Sequence, residues 1–264
     1  MIVEFIGTPG SGKSTLVPVL VKILAERNYL ARTIIEASRP VISRTILGKG
    51  INKFSPKSIR DPLLWQVFSG RSYIARKQFS KKHPALVSHV QRTQQARDIP
   101  DDELEHILYW WFHLIGYYQL LMPRILPHEV LILDEGFAHR VVQLHASDHE
   151  DLDQDNLSTY LHLIPRPDIL IFIEAPAAEC EKRIYDRGLW SRFEHKTPKQ
   201  VSQYITNSHQ VVKTAVEIVK SQGWDLIQID NSGHGISSAE GDLRSKVLYS
   251  LDEFAMRNLS SAGH

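Results

Sequence analysis

The chain has 264 residues, 42% hydrophobic and 23% charged, with a formal net charge of +1, an ordinary soluble globular composition whose length suits one large α/β domain over 1–264. A single cysteine, Cys180, excludes an intramolecular disulfide and fits a reducing compartment. The most apolar stretch, 107–121, is interrupted by His113, Gly116 and Gln119 and falls short of the about 20 residues that span a bilayer; with Met1 leading at once into a strand, no targeting peptide, a cytoplasmic location and no membrane partner are expected.

Residues 2–6 (Ile-Val-Glu-Phe-Ile) read as a short buried strand. It runs into Gly7-Thr8-Pro9-Gly10-Ser11-Gly12-Lys13-Ser14, which fits G-x-x-x-x-G-K-[ST] at every fixed position. Leu16, Val19, Leu20, Ile23 and Leu24 give 15–27 helical spacing, so the motif has its strand–loop–helix context. Glycines allow positive φ and leave no side chain between backbone and phosphates. Successive N–H groups and the helix N-terminus then attract an anion. Lys13 reaches the outer phosphates and the Ser14 hydroxyl suits Mg²⁺. The expected ligand is a nucleoside triphosphate held by residues 7–15, Thr15 included, with ATP and Mg²⁺ as cofactors.

After the first helix, 31–36 reads as strand two, ending in Glu36, and makes a right-handed β-α-β unit. Residues 40–60, with two prolines and two glycines, read mainly as loop. Asp61-Pro62 opens a helix to about 79, 85–97 a second, and Pro100-Asp101-Asp102 a third that runs to 121 with acids in its first turn. From Arg39 to Arg97 there are 13 Lys/Arg against one acid, Asp61, a local charge of +12, so the remainder carries about −11. Such a run is either a solvated face or a lobe that attracts an anionic acceptor. Nucleic acid is not favoured, because no Arg/aromatic pattern of an RNA module is present. Tyr109-Trp110-Trp111-Phe112 is either core or a homodimer face.

Residues 130–133 read as a fully buried parallel strand ending in Asp134-Glu135, at the edge where open α/β sheets bind ligands. Asp134 is the expected metal partner of Ser14. His139, His145 and His149 lie in an acidic stretch and read as solvated side chains rather than metal ligands. A fourth strand spans 168–174 and a helix 175–186. Arg183, Arg187 and Arg192 follow at intervals of four and five residues, a spacing that aims planar, permanently charged forks toward one anion. A helix over 199–222, a fifth strand over 224–230 ending at Asn231, and a closing helix over 239–256 complete the chain.

FIGTPGSGKST (5–15), LILDEG (131–136), PDILIFIEAPAAECEKRIYDRGLWSRFE (167–194) and DLIQIDNS (225–232) together resemble the thymidylate kinase-like branch of the nucleoside and nucleotide kinases. The resemblance implies a P-loop three-layer α/β sandwich with a five-stranded parallel sheet in the order 2-3-1-4-5. It implies a helical acceptor lobe at about 37–126 and a lid at about 183–196 whose Arg183, Arg187 and Arg192 cover the transferred phosphate. It also implies that Asn231 lies near the adenine, that Pro123 matches a family proline, and that His113 falls where the family has an acceptor-contacting arginine. Arg39 joins His113 as a candidate acceptor contact. By resemblance to the deoxynucleoside kinases, Glu36 orients or deprotonates the acceptor hydroxyl, with Glu135 its rival. The family's Asp-Arg is Asp134-Glu135 here, and its Arg-Glu-Pro is Ile35-Glu36-Ala37, which argues against thymidine monophosphate as acceptor.

The expected activity is therefore ATP-dependent transfer of a phosphoryl group to a nucleoside, a nucleotide or another hydroxyl or phosphate acceptor, the basic lobe favouring an anionic one. The alternative is a P-loop ATPase or nucleotide-dependent switch with no small-molecule acceptor, in which Glu135 positions water.

Overall fold

A computed structural model of the chain describes residues 1–189, 193, 196–233 and 236–261. Strands β1 (Ile2–Ile6), β2 (Leu30–Thr33), β3 (Glu129–Leu133), β4 (Ile169–Glu174) and β5 (Leu226–Asp230) form one five-stranded sheet, ordered β2-β3-β1-β4-β5, with every ladder parallel. This is the order the resemblance implied. The inner strands β1, β3 and β4 are buried almost end to end, as parallel strands covered on both faces must be.

The helices are α1 (Lys13–Glu26), α2 (Ile34–Ser43), α3 (Ile46–Phe54), α4 (Lys57–Lys82), α5 (Pro84–Gln95), α6 (Asp101–Leu121), α7 (Val141–His145), α8 (Gln154–Leu163), α9 (Ala177–Arg187), α10 (Pro198–Ser221) and α11 (Ile236–Ser261). Side chains alternate across each strand. Val3 and Phe5 therefore point with Ile132, Ile171 and Ile229 into a core shared with Leu16, Leu20 and Leu24 of α1 and Leu243 of α11. Ile2 and Ile6 face the opposite layer, built from α2, α4, α6 and α10. Glu4 lies between them on that second face and is 1% exposed.

Two expectations are corrected. The second strand stops at Thr33, and Glu36 belongs to a helix. Thr33 and Glu36 form a reciprocal cap: the Glu36 carboxylate accepts from the Thr33 backbone N–H at 2.9 Å, and Thr33 Oγ1 accepts from the Glu36 N–H at 3.5 Å. Residues 40–60 are mostly helical rather than loop. Thr45 caps α3 by accepting from Gly48 N–H at 3.0 Å, and α4 already starts at Lys57, so Pro62 lies inside it. Of the aromatic cluster, Trp111 is core while Tyr109 and Trp110 stay exposed.

Candidate functional site

The loop between β1 and α1 bends through Gly10 at φ 85° and Gly12 at φ 101°, conformations that glycine adopts without strain. Neither site has room for a side chain. A Cβ on Gly10 would lie 2.4 Å from the Cys180 carbonyl oxygen of α9, and one on Gly12 would lie 2.4 Å from Nδ2 of Asn231. Asn231, just past β5, donates that amide to the Ser11 carbonyl at 2.7 Å. Arg183 donates to the Asn231 carbonyl at 2.9 Å and to the Ser11 carbonyl at 3.5 Å, and pairs with Glu179 at 2.8 Å. Thr8, buried, places its hydroxyl 3.3 Å from Nδ1 of His209 on α10. The loop is thus braced from β5, α9 and α10 at once.

Lys13 is buried and folds back on the loop, donating to the Gly7 carbonyl at 2.8 Å and the Thr8 carbonyl at 3.2 Å. Burial pulls its ammonium down to about 8, against the opposing pull of Glu135, Cys180 and Asp134. Such a lysine has unmet attraction for negative charge. Ser14 and Thr15, at the start of α1, are exposed. This is the strand–loop–helix geometry that the sequence pattern implied.

Glu4 pairs with Leu133 in the sheet register, so the segment after β3 emerges at the same edge as the loop. Asp134 and Glu135 begin it. Asp134 keeps solvent access, yet its surroundings desolvate it enough to hold its carboxyl above the usual range, with the Glu135 charge adding to the effect. Glu135 pairs at 3.4 Å with Arg140, itself buried, which also donates to Gln143 at 2.5 Å. Glu4 anchors the turn from below. Its Oε1 accepts from the His139 N–H at 2.9 Å, with the Ala138 and Phe137 amides also turned to it, and a Cβ on Gly136 would sit 2.4 Å from its carboxyl carbon. Tyr160 of α8 donates to the Phe137 carbonyl at 2.9 Å.

A cleft of about 300 Å³ lies between the two loops, lined by Pro9, Gly10, Gly12, Lys13, Ser14, Thr15, Glu135, His139, Val142, Gln143, Arg183 and Arg187. The structure therefore brings the Gly7–Ser14 loop, Glu135 and two of the three arginines together; Arg192 lies outside the described residues. Glu36, Arg39 and His113 do not line this cleft. Glu36 caps α2, Arg39 pairs with Asp61 at 2.8 Å, and His113 accepts or donates within α6 and toward Arg76 at 3.1 Å. Asn231 braces the loop from beneath.

His139, Arg140, Gln143 and Glu4 were not read as site residues. His139 and His145, expected to be solvated, are instead held inside, His139 in the cleft wall with an unpartnered Nδ1. Burial keeps His139 neutral well below the usual range, helped by Lys13 and Arg140, and pulls His145 down to about 3. Glu4 did leave a signal, an acid in the middle of an otherwise apolar strand. His149 pairs with Asp148 at 3.0 Å, and no cluster of His, Cys, Asp and Glu among the described residues suits a metal ion.

No protein-family model and no curated protein matches the chain. Among solved structures it is similar to a thymidylate kinase from Ehrlichia chaffeensis, at 15% identity and a TM-score of 0.43, with 95% of this chain and 98% of that one covered. It is also similar to a deoxyadenosine kinase from M. mycoides with bound dCTP, at 15% identity and a TM-score of 0.40, with 99% and 100% covered. At that similarity neither structure tells what this chain acts on.

Proposed function

We propose that the chain is an ATP-dependent kinase that transfers the γ-phosphoryl group to a small hydroxyl or phosphate acceptor seated against α7. One observation carries this reading: Lys13, Glu135, Arg183 and Arg187 line the same cleft, cations on the loop side and a carboxylate on the other. Phosphoryl transfer needs positioning and charge neutralisation more than covalent chemistry, and this arrangement suits it.

In the proposed mechanism the loop amides and Lys13 hold the β- and γ-phosphates. The Lys13 ammonium exchanges the Gly7 and Thr8 carbonyls for phosphate oxygens, which restores the charge that burial weakens. Arg187 neutralises charge that develops on the transferred group, while Arg183, tied to Ser11 and Asn231, keeps the loop in shape. Glu135, oriented by Arg140, accepts the hydroxyl proton of the acceptor, and Gln143 and the neutral His139 offer it hydrogen bonds. Glu135 takes this role in preference to Glu36, whose carboxylate is spent on its own helix cap. The exposed Ser14 hydroxyl and the Asp134 carboxylate are hard oxygen donors at one sheet edge and fit Mg²⁺. When bound, that ion would neutralise phosphate charge.

The test is ATP consumption with and without a panel of nucleosides, nucleotides, sugars and phosphorylated metabolites. Turnover that requires one acceptor class, and that Lys13→Ala abolishes without lowering the melting temperature, supports the kinase. The second reading, an ATPase or switch, draws on the Arg140-held Glu135, which suits positioning a water equally well. Full-rate hydrolysis without any acceptor would establish it instead, and near-normal turnover by Lys13→Ala would remove both.

A further inference from the structure

Helix α3 carries its apolar stripe on the wrong side for a surface helix. It rests on α2 through Gly48, where a Cβ would come 1.9 Å from the Ile42 carbonyl oxygen, so a small residue fixes which face turns inward. At about 100° per residue, Ile46, Gly50, Phe54 and Leu47 share one arc on the opposite face. That arc points to solvent, with Ile46 90%, Leu47 65% and Phe54 78% exposed. Ile59, at the start of α4, adds another exposed side chain. Lys49 and Lys53 border the arc, and the Lys53 ammonium lies over the Phe54 ring at 5.3 Å. Large apolar side chains exposed together on one arc of a short helix are the kind of surface that serves for docking.

The charge around it has one sign. Residues 37–60 contain six Lys/Arg and no acid. Arg39 is neutralised by Asp61 and Arg60 donates to the Ser55 carbonyl, whereas Arg44, Lys49, Lys53 and Lys57 enter no ion pair among the described residues. None of these cations lines the nucleotide cleft.

We propose that α3 and the turn into α4 dock on an anionic lipid surface, Ile46, Leu47 and Phe54 entering the headgroup–acyl boundary while Arg44, Lys49, Lys53 and Lys57 meet lipid phosphates. The two halves of the surface choose this partner together. Nucleic acid would use the cations but gains nothing from exposed Ile, Leu and Phe. A second copy of the chain would set the same cations against themselves. A bilayer interface accepts both, and its binding is reversible because only a few side chains insert. Such docking departs from the expectation of no membrane partner, and it needs no spanning segment; no helix among the described residues is long and apolar enough to cross a membrane. It is independent of what the cleft transfers.

Co-sedimentation of the full chain with phosphatidylcholine vesicles, and with vesicles that also contain phosphatidylglycerol, tests this at low and high salt. The expected result is binding to the anionic vesicles alone, weakened by salt. Two variants divide the contributions, Ile46→Ser/Leu47→Ser/Phe54→Ser and Lys49→Glu/Lys53→Glu. Each should weaken vesicle binding by about tenfold or more, with melting temperature and ATP-analogue binding unchanged as evidence of an intact fold. The proposal is overturned by absence of binding to anionic vesicles or by equal binding to neutral ones. Full binding by the apolar triple variant also overturns it, as does a wild-type dimer in light scattering that the triple variant makes monomeric. Capture by an acidic protein with no vesicle binding would transfer the surface to a protein partner.

Discussion

Glu4→Gln probes a contest between two forces of opposite sign. Complete burial on the central strand raises the Glu4 carboxyl from 4.5 to about 8, while the His139, Ala138 and Phe137 amides and the Arg140 charge pull the other way. An acid that binds its proton more tightly when folded adds stability below its ordinary value and loses it as pH climbs toward the folded value. The window is thus 4.5 to about 8, and across it native stability should fall by about 1 kcal/mol per pH unit on this group's account. Glutamine has no proton to lose, so that slope should vanish. Its single carbonyl also serves the three amides less well, at about 1–3 kcal/mol for each donor left unmet. Urea denaturation from pH 5 to 8 should therefore show the variant less stable at pH 5, with the gap closing as pH rises. A gap that stays constant from pH 5 to 8 would mean that the amides hold the carboxylate ionised throughout, and the reasoning from burial would be refuted.

Lys13 predicts that affinity for an ATP analogue declines as pH passes about 8, its depressed value, because the deprotonated amine no longer attracts phosphate; calorimetric titration across that pH should show the decline in the wild type and its absence in Lys13→Ala. Asn231→Ala removes the 2.7 Å amide contact to the Ser11 carbonyl and should weaken nucleotide binding by roughly tenfold, read by fluorescence competition, with about 1 kcal/mol lost in stability. Gly10→Ala combines positive φ with a Cβ 2.4 Å from the Cys180 carbonyl oxygen, and should lower the melting temperature and abolish nucleotide binding together. Glu135→Gln should cut turnover by about 10²- to 10⁴-fold while the nucleotide Kd stays within a few-fold, separated by steady-state kinetics and direct titration.

What the sequence made legible is local. The Gly7–Ser14 loop with its glycines and the buried inner strands are each written in a dozen consecutive residues, whereas the sheet order came from the resemblance alone. The second strand was read three residues too long because Ile34-Ile35 continues an apolar run, while the Thr33–Glu36 cap that ends it reads as a cap only once a helix is suspected. Pro40, Gly48 and Gly50 suggested loop over 40–60, yet Gly48 is there to let two helices touch. At the cleft, Glu135 and the arginines belong to recognisable stretches. His139 and Gln143 do not: they reach it because Glu4, some 135 residues earlier, pins the turn that carries them. Contacts of that reach leave no trace in spacing.

The Cys180 backbone lies directly beneath Gly10, its thiol pushed up to about 11 by burial and its sulfur 3.8 Å from the Ala175 carbonyl oxygen. Being the sole thiol in the chain and buried, it is a built-in gauge of how often its surroundings open. Its alkylation rate in the unmodified protein counts those excursions, and an occupant of the cleft that steadies the loop should slow the count in proportion to how tightly it is held.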